Sequence, residues 1–129
     1  MDALLIGSPW IDKILDGSKI WEVRGTGTTK RDQVGLIEKG TGMVVGVAKI
    51  VGVVGPLTLA EFVANASRIG ITKSQAAKGL PYDRTFGWVM ERPRRLERPV
   101  PYHHPRGAVR WVKLESAVCR SLRRQLALG

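Results

Sequence analysis

The sequence predicts an α+β protein, a small mixed β-barrel with helices laid on its side. Three observations lead there. At 129 residues the chain supports one hydrophobic core, and a second independent one would be marginal. Stretches of β-type residues dominate, and helices follow the first and fourth of them rather than alternating as a doubly wound parallel sheet requires. The longest apolar run, "MVVGVAKIVGVVGPL", is broken by Gly46, Gly52 and Gly55, where a strand can take the bulge or bend of a small barrel.

In order along the chain, "ALLI" at residues 3–6 reads as a short buried strand. "GSPWIDKILDG" reads as a helix: Ser8 is placed to cap it, Pro9 suits its first position and Gly17 its left-handed exit, with Trp10, Ile11, Ile14 and Leu15 facing inward. "KIWEVR" returns to extended chain and enters the loop "GTGTTKRD" directly after Arg24. "VGLIEKG" and the glycine-broken run are the next two strands. A helix starts near Thr58 with Leu59, Phe62 and Val63 on one face, and a weaker one follows at Thr72, which has capping-box spacing to Gln75.

Two more strands are expected around residues 85–91 and 108–114. The link between them carries Pro93, Pro99, Pro101 and Pro105, which lack the N–H that a central strand needs. In "ESAVCRSLRRQLALG" the four-residue spacing of Val118, Leu122 and Leu126 predicts an amphipathic helix docked on the barrel. The expected organisation is a barrel domain over residues 1–114 and a basic helical tail over 115–129.

The balance of charge is unusual: 21 Lys and Arg against 11 Asp and Glu give a net charge of +10, so polyanions, and nucleic acid first among them, are the expected partners. The start of the chain, "MDALLIGSPW", has neither the basic lead nor the apolar length of a signal peptide or membrane span, and no later segment reaches spanning length. The single cysteine, Cys119, excludes an internal disulfide and has no activating neighbours in sequence. A cytoplasmic location is the default, and no cofactor or metal site is expected, since no Cys/His cluster has zinc spacing.

Within "DGSKIWEVRG", Lys19, Glu22 and Arg24 put three charges into six residues of a strand that otherwise looks buried. A strictly extended chain turns Glu22 and Arg24 to one face and Lys19 to the other. Two readings stay open from spacing alone: Glu22 and Arg24 pair on a partly exposed strand, or an unfinished turn after Gly17 brings all three together around a polar ligand.

"PWIDKILDGSKIWEVR" resembles the signature of the ASCH family (activating signal cointegrator homology), a helix followed by Gly-x-Lys-x-x-Glu-x-Arg, here Gly17, Lys19, Glu22 and Arg24. "VVGVAKIVGV", "FGWVMERPRRLERPVPY" and "GAVRWVKL" match further strands in the family's order, so that the likeness covers about residues 4–114. The resemblance implies a PUA-like barrel and an RNA- or nucleotide-binding function. It also implies that Lys19, Glu22 and Arg24 lie in a cleft, with Lys19 and Arg24 meeting phosphate or a base edge and Glu22 accepting a hydrogen bond or orienting Lys19. Some relatives are enzymes. One branch hydrolyses an acylated cytidine with a Thr nucleophile where this chain has Glu22, which weakens an amidohydrolase reading here. Another relative resembles a ribonuclease that uses a Lys beside hydroxyl groups, for which Lys19 with Ser8, Tyr82 or Tyr102 are the candidates. Lys19 and Glu22 are thus the candidate catalytic residues, RNA, single-stranded nucleic acid or a modified nucleoside the expected ligand, and a non-catalytic interaction module the third reading.

The segment from Arg92 to Lys113 holds seven basic residues and one acidic one. Arg94, Arg95, Arg98 and Arg106 are expected to contact phosphate and Tyr102 to line a nucleic-acid groove, while Trp10 and Trp88 flank the expected cleft as candidate stacking platforms. His103 and His104 are adjacent and project to opposite sides on extended chain, which argues against a joint metal site. "GTGTTKRD" lacks phosphate-loop spacing and reads instead as a loop that closes over the cleft.

Overall fold

The computed structural model describes residues 1–128; Gly129, the last residue of the expected tail, lies outside them. The elements run β1 (Asp2–Ile6), α1 (Trp10–Leu15), β2 (Trp21–Arg24), β3 (Asp32–Glu38), β4 (Met43–Val54), α2 (Leu59–Ala64), α3 (Ala66–Ile69), α4 (Lys73–Ala76), β5 (Phe86–Pro101), β6 (Trp111–Lys113) and α5 (Ser116–Leu128). The six strands form one sheet in the order β2-β5-β4-β3-β1-β6, antiparallel except where β1 meets β3. The sheet curls into a half-barrel with helices at its flanks.

Period-two alternation divides the sheet between two cores. Leu4 and Ile6 of β1 turn into a core plugged by Ile11, Ile14 and Leu15 of α1 and completed by Trp88, while Ala3 and Leu5 turn to the opposite face, which Val118, Cys119 and Leu122 of α5 cover. A third cluster holds α2, α3 and α4, through Phe62, Ile69 and Ala76, against Trp21 and Val23 of β2. The curl depends on β4. Its pairing with β5 shifts register three times, and at Gly46 a Cβ would collide with Leu15 Cδ2 and sit 2.8 Å from the Arg94 carbonyl oxygen. Glycine therefore lets helix, β4 and β5 close to contact distance.

The edge strands β2 and β6 share no ladder, and side chains bridge the seam between the two margins of the sheet. Arg24 Nη2 of β2 donates to the Leu5 carbonyl of β1 at 2.9 Å, and the Trp88 and Trp111 rings stack at 5.9 Å. The loop after β2 crosses the same gap: Lys30 pairs with Asp2 at 2.7 Å, and the Thr26 carbonyl accepts from Trp88 Nε1 at 2.8 Å.

Several sequence expectations need correction. Pro9 itself occupies the cap position of α1 and Ser8 makes no cap. Trp10, expected to face inward with Ile11, Ile14 and Leu15, is instead 38% exposed because it opens the helix beside the cavity, and Leu59 is exposed at 43%, leaving Phe62 to anchor α2. The capping box expected at Thr72 with Gln75 forms, and a second one, unforeseen, joins Thr58 to Glu61 at the start of α2. The proline-bearing link does not leave the sheet: β5 continues through Pro93, Pro99 and Pro101 and pairs with β4 as far as Met43. It can do so because β2 covers only Phe86–Val89, so the rest of β5 is an edge on which missing N–H groups cost no second ladder.

Candidate functional site

The site is assembled where α1 ends. Gly17 adopts φ +86° and turns the chain back, Ser18 N donates to Asp16 Oδ1 and Lys19 N to the Lys13 carbonyl, and only after Ile20 N bonds to the Arg68 carbonyl does β2 begin. Lys19 therefore precedes the strand and escapes its alternation. Its side chain runs inward, 3% exposed, and Nζ donates to the carbonyls of Trp21 at 2.7 Å and Ile69 at 2.8 Å. The second of these requires α3 to approach closely, which Gly70 permits: a Cβ there would lie 3.1 Å from Lys19 Cβ.

Glu22 is 6% exposed and stands between the two cations. Its Oε2 accepts from Arg24 Nε at 3.0 Å and Nη2 at 2.8 Å, and its Oε1 lies 3.7 Å from Lys19 Nζ. Arg24 in turn lies over the Trp88 ring, 5.7 Å from its centroid. Burial pushes the Lys19 ammonium down from 10.5 to about 8; Glu22 opposes that shift, and Lys13 and Arg24 add to it.

Two atoms of this triad are unspent. Glu22 Oε1 accepts no hydrogen bond and Arg24 Nη1 donates none, yet no fully buried side-chain nitrogen or oxygen among the described residues lacks a partner. Both atoms therefore keep some contact with solvent, and both residues line a cavity of about 430 Å³ shared with Lys19, Trp10, Lys39 and Tyr82. That volume falls in the range of small-ligand pockets, about 300–1,000 Å³. Trp10, Tyr82 and Val109 leave 38%, 45% and 79% of their surface exposed, making an apolar rim.

The cavity thus unites Lys19, Glu22, Arg24, Trp10 and Tyr82, and it leaves out the other sequence-predicted residues. Ser8 is exposed outside its lining. Trp88 is fully buried and has no face to offer a base; it supports Arg24 from below. Arg94 donates to the carbonyls of Leu126 and Gln125 at the end of α5, Arg95 pairs with Asp12 at 2.9 Å, and the Arg98 backbone is bonded to Gln125. Tyr102 packs beside the second core with its hydroxyl 2.7 Å from His104 Nδ1, and Arg106 is exposed in the loop after β5. The loop "GTGTTKRD" fastens the seam and contributes no lining residue; Ile71, Gln75, Gly79, Pro81 and Tyr82 form that wall.

Of the three hydroxyl candidates, only Tyr82 lines the cavity. Sequence reasoning missed Lys39, an exposed cation that lines it from the end of β3. The parallel pairing of β3 with β1 brings Lys39 there, its N–H bonding to the Ile6 carbonyl, and no local pattern announces a parallel neighbour.

The ASCH domain family model matches residues 4–100. The chain belongs to the ASCH domain family. The match includes the Gly17, Lys19, Glu22 and Arg24 signature and stops short of β6 and α5. ASCH domains are generally RNA-binding. Among solved structures this ASCH domain is similar to the crystal structure of ASCH from Zymomonas mobilis, with a TM-score of 0.71 and 11% identity over 95% of this chain and 93% of that one. A serine-to-alanine mutant of the Zymomonas mobilis protein matches at TM-score 0.69 and 12% identity, covering 95% of this chain and 94% of the other. A tyrosine-to-phenylalanine mutant gives 0.69 and 12%, with 95% and 96% covered. At that identity the likeness establishes a common fold. A search of curated proteins found no match. Among the described residues no helix is long and apolar enough to cross a membrane.

Proposed function

We propose that this ASCH domain binds RNA by taking one nucleotide into the cavity and reading the edge of its base. The observation that carries the reading is the open pair on a buried triad, Glu22 Oε1 as acceptor and Arg24 Nη1 as donor. Each RNA base carries a matching edge, an amine or imide N–H beside a ring nitrogen or carbonyl acceptor. Lys19 is fully engaged in holding β2 to α3 and in countering the Glu22 charge, so its role is to position the carboxylate. Trp10 and Tyr82 supply aromatic surface at the rim, and Lys39 a cation for phosphate.

The test is a titration of wild type and Glu22→Gln with nucleoside monophosphates and short single-stranded RNA, followed by calorimetry. Losing a hydrogen bond to a charged group, about 1.5–3 kcal/mol, weakens binding roughly tenfold to a hundredfold. Equal affinity in a folded Glu22→Gln protein refutes the reading. A second reading, RNA cleavage, has one observation in its favour: Tyr82, which carries a hydroxyl, lines the cavity that holds Lys19. It requires the 2′-OH, so wild type would cleave RNA and spare DNA, and Tyr82→Phe would abolish the cleavage.

A further inference from the structure

Five of the cations that the cavity leaves unused gather on one side of the fold. Alternation along β5 turns Leu96 and Val100 into the core beneath α5, and with them Arg94 and Arg98 belong to the α5 side, while Arg95 turns the other way and reaches Asp12 of α1. Gln125 stitches α5 to this strand from both ends of its amide, accepting from Arg98 N at 3.0 Å and donating to Arg98 O at 2.8 Å. Arg94 donates to the last carbonyls of the helix, at Gln125 and Leu126. With Val118, Cys119 and Leu122 buried, helical geometry leaves Arg120, Arg123 and Arg124 on the exposed side of α5.

The result is a ridge of five arginines along one helix and the strand it rests on. No carboxylate among the described residues is within ion-pair distance of any of them; the five ion pairs all lie elsewhere. Like charges packed this way repel one another unless a counter-charge arrives. The ridge touches none of the cavity's lining, and α5 lies beyond the part of the chain that the family model matches.

We propose that this ridge is a second RNA-contacting surface, which holds the phosphate backbone of a strand longer than the nucleotide in the cavity. The proposal rests on the ligand being RNA, and it does not depend on what the cavity reads. Exposed guanidinium groups on a rigid helix match phosphates in charge and geometry without reading sequence. A membrane fits less well, because the apolar stripe that α5 would insert is already buried against the sheet.

The experiment compares wild type with the triple variant Arg120→Gln/Arg123→Gln/Arg124→Gln, using a long oligouridylate, a DNA strand of equal length, uridine monophosphate and phosphatidylserine vesicles. A second triple variant, Arg31→Gln/Lys49→Gln/Lys78→Gln, removes the same charge elsewhere, and circular dichroism checks that all three proteins are folded. Three lost phosphate contacts make the slope of log affinity against log salt shallower by about 2, roughly a hundredfold weaker binding at 0.1 M salt. RNA and DNA strands should both show the loss, the mononucleotide should not, and the second variant should bind like wild type. An unchanged slope, an equal loss in the second variant, or ridge-dependent binding of vesicles but not of RNA overturns the proposal. If the mononucleotide binds to none of the proteins while the long strand shows the changed slope, the cavity reading falls and the ridge stands.

Discussion

Lys19 offers the sharpest energetic test of the buried triad. Its proton is held at about 8 in the folded protein and at the ordinary 10.5 in the unfolded chain, chiefly because burial disfavours the charged form. At about 1.4 kcal/mol per pH unit, that difference is about 3 kcal/mol of stability withheld while Lys19 is charged in both states, below pH 8. Between pH 8 and 10.5 the folded protein has released the proton and the unfolded chain still binds it, so stability rises with pH; above 10.5 the penalty is gone. The hydrogen bonds survive deprotonation, since a neutral amine keeps two N–H groups for the two carbonyls of Trp21 and Ile69. Other alkaline groups titrate in the same window, so the measurement is a difference. Urea unfolding of wild type and Lys19→Met is compared at each pH, and wild type should gain about 3 kcal/mol relative to the variant across the window. A difference that stays flat, or falls, refutes a charged lysine buried beside Glu22.

Two further outcomes concern the fold that carries the site. Gly46→Ala forces a methyl group against Leu15 and the Arg94 carbonyl, and should lower stability by about 1–3 kcal/mol in urea unfolding with α1 displaced. Leu122→Ala removes the fully buried anchor of α5 and should cost about 2–5 kcal/mol, with hydrogen exchange protection lost first along that helix.

Most of the secondary structure was legible because its signals are local. The αL exit at Gly17, the capping box of Thr72 and the burial of Ile11, Ile14 and Leu15 in α1 and of Val118 and Leu122 in α5 need only neighbouring residues. The proline-bearing half of β5 was not, since whether a proline harms a strand depends on which edge it faces, and that is set by how short β2 is. The same division holds at the site. The spacing of Lys19, Glu22 and Arg24 left a surface pair and a convergent cluster both open, and their convergence on one cavity relies on the carbonyl of Ile69 from α3, a four-residue helix with no clear periodicity of its own. A count of arginines identified the basic segment and could not separate Arg95, turned toward α1, from Arg94 and Arg98, turned toward α5. Lys39 enters through parallel pairing, which no short window records.

Arg24 serves two masters. The guanidinium of this cavity-lining residue also latches the two margins of the sheet, through the Leu5 carbonyl. A guest that grips it therefore helps keep the half-barrel shut, and a molecule whose margins have parted has no pocket left to fill. If the proposed reading of the cavity holds, recognition and cohesion cannot drift apart at this position, because a single side chain answers for both.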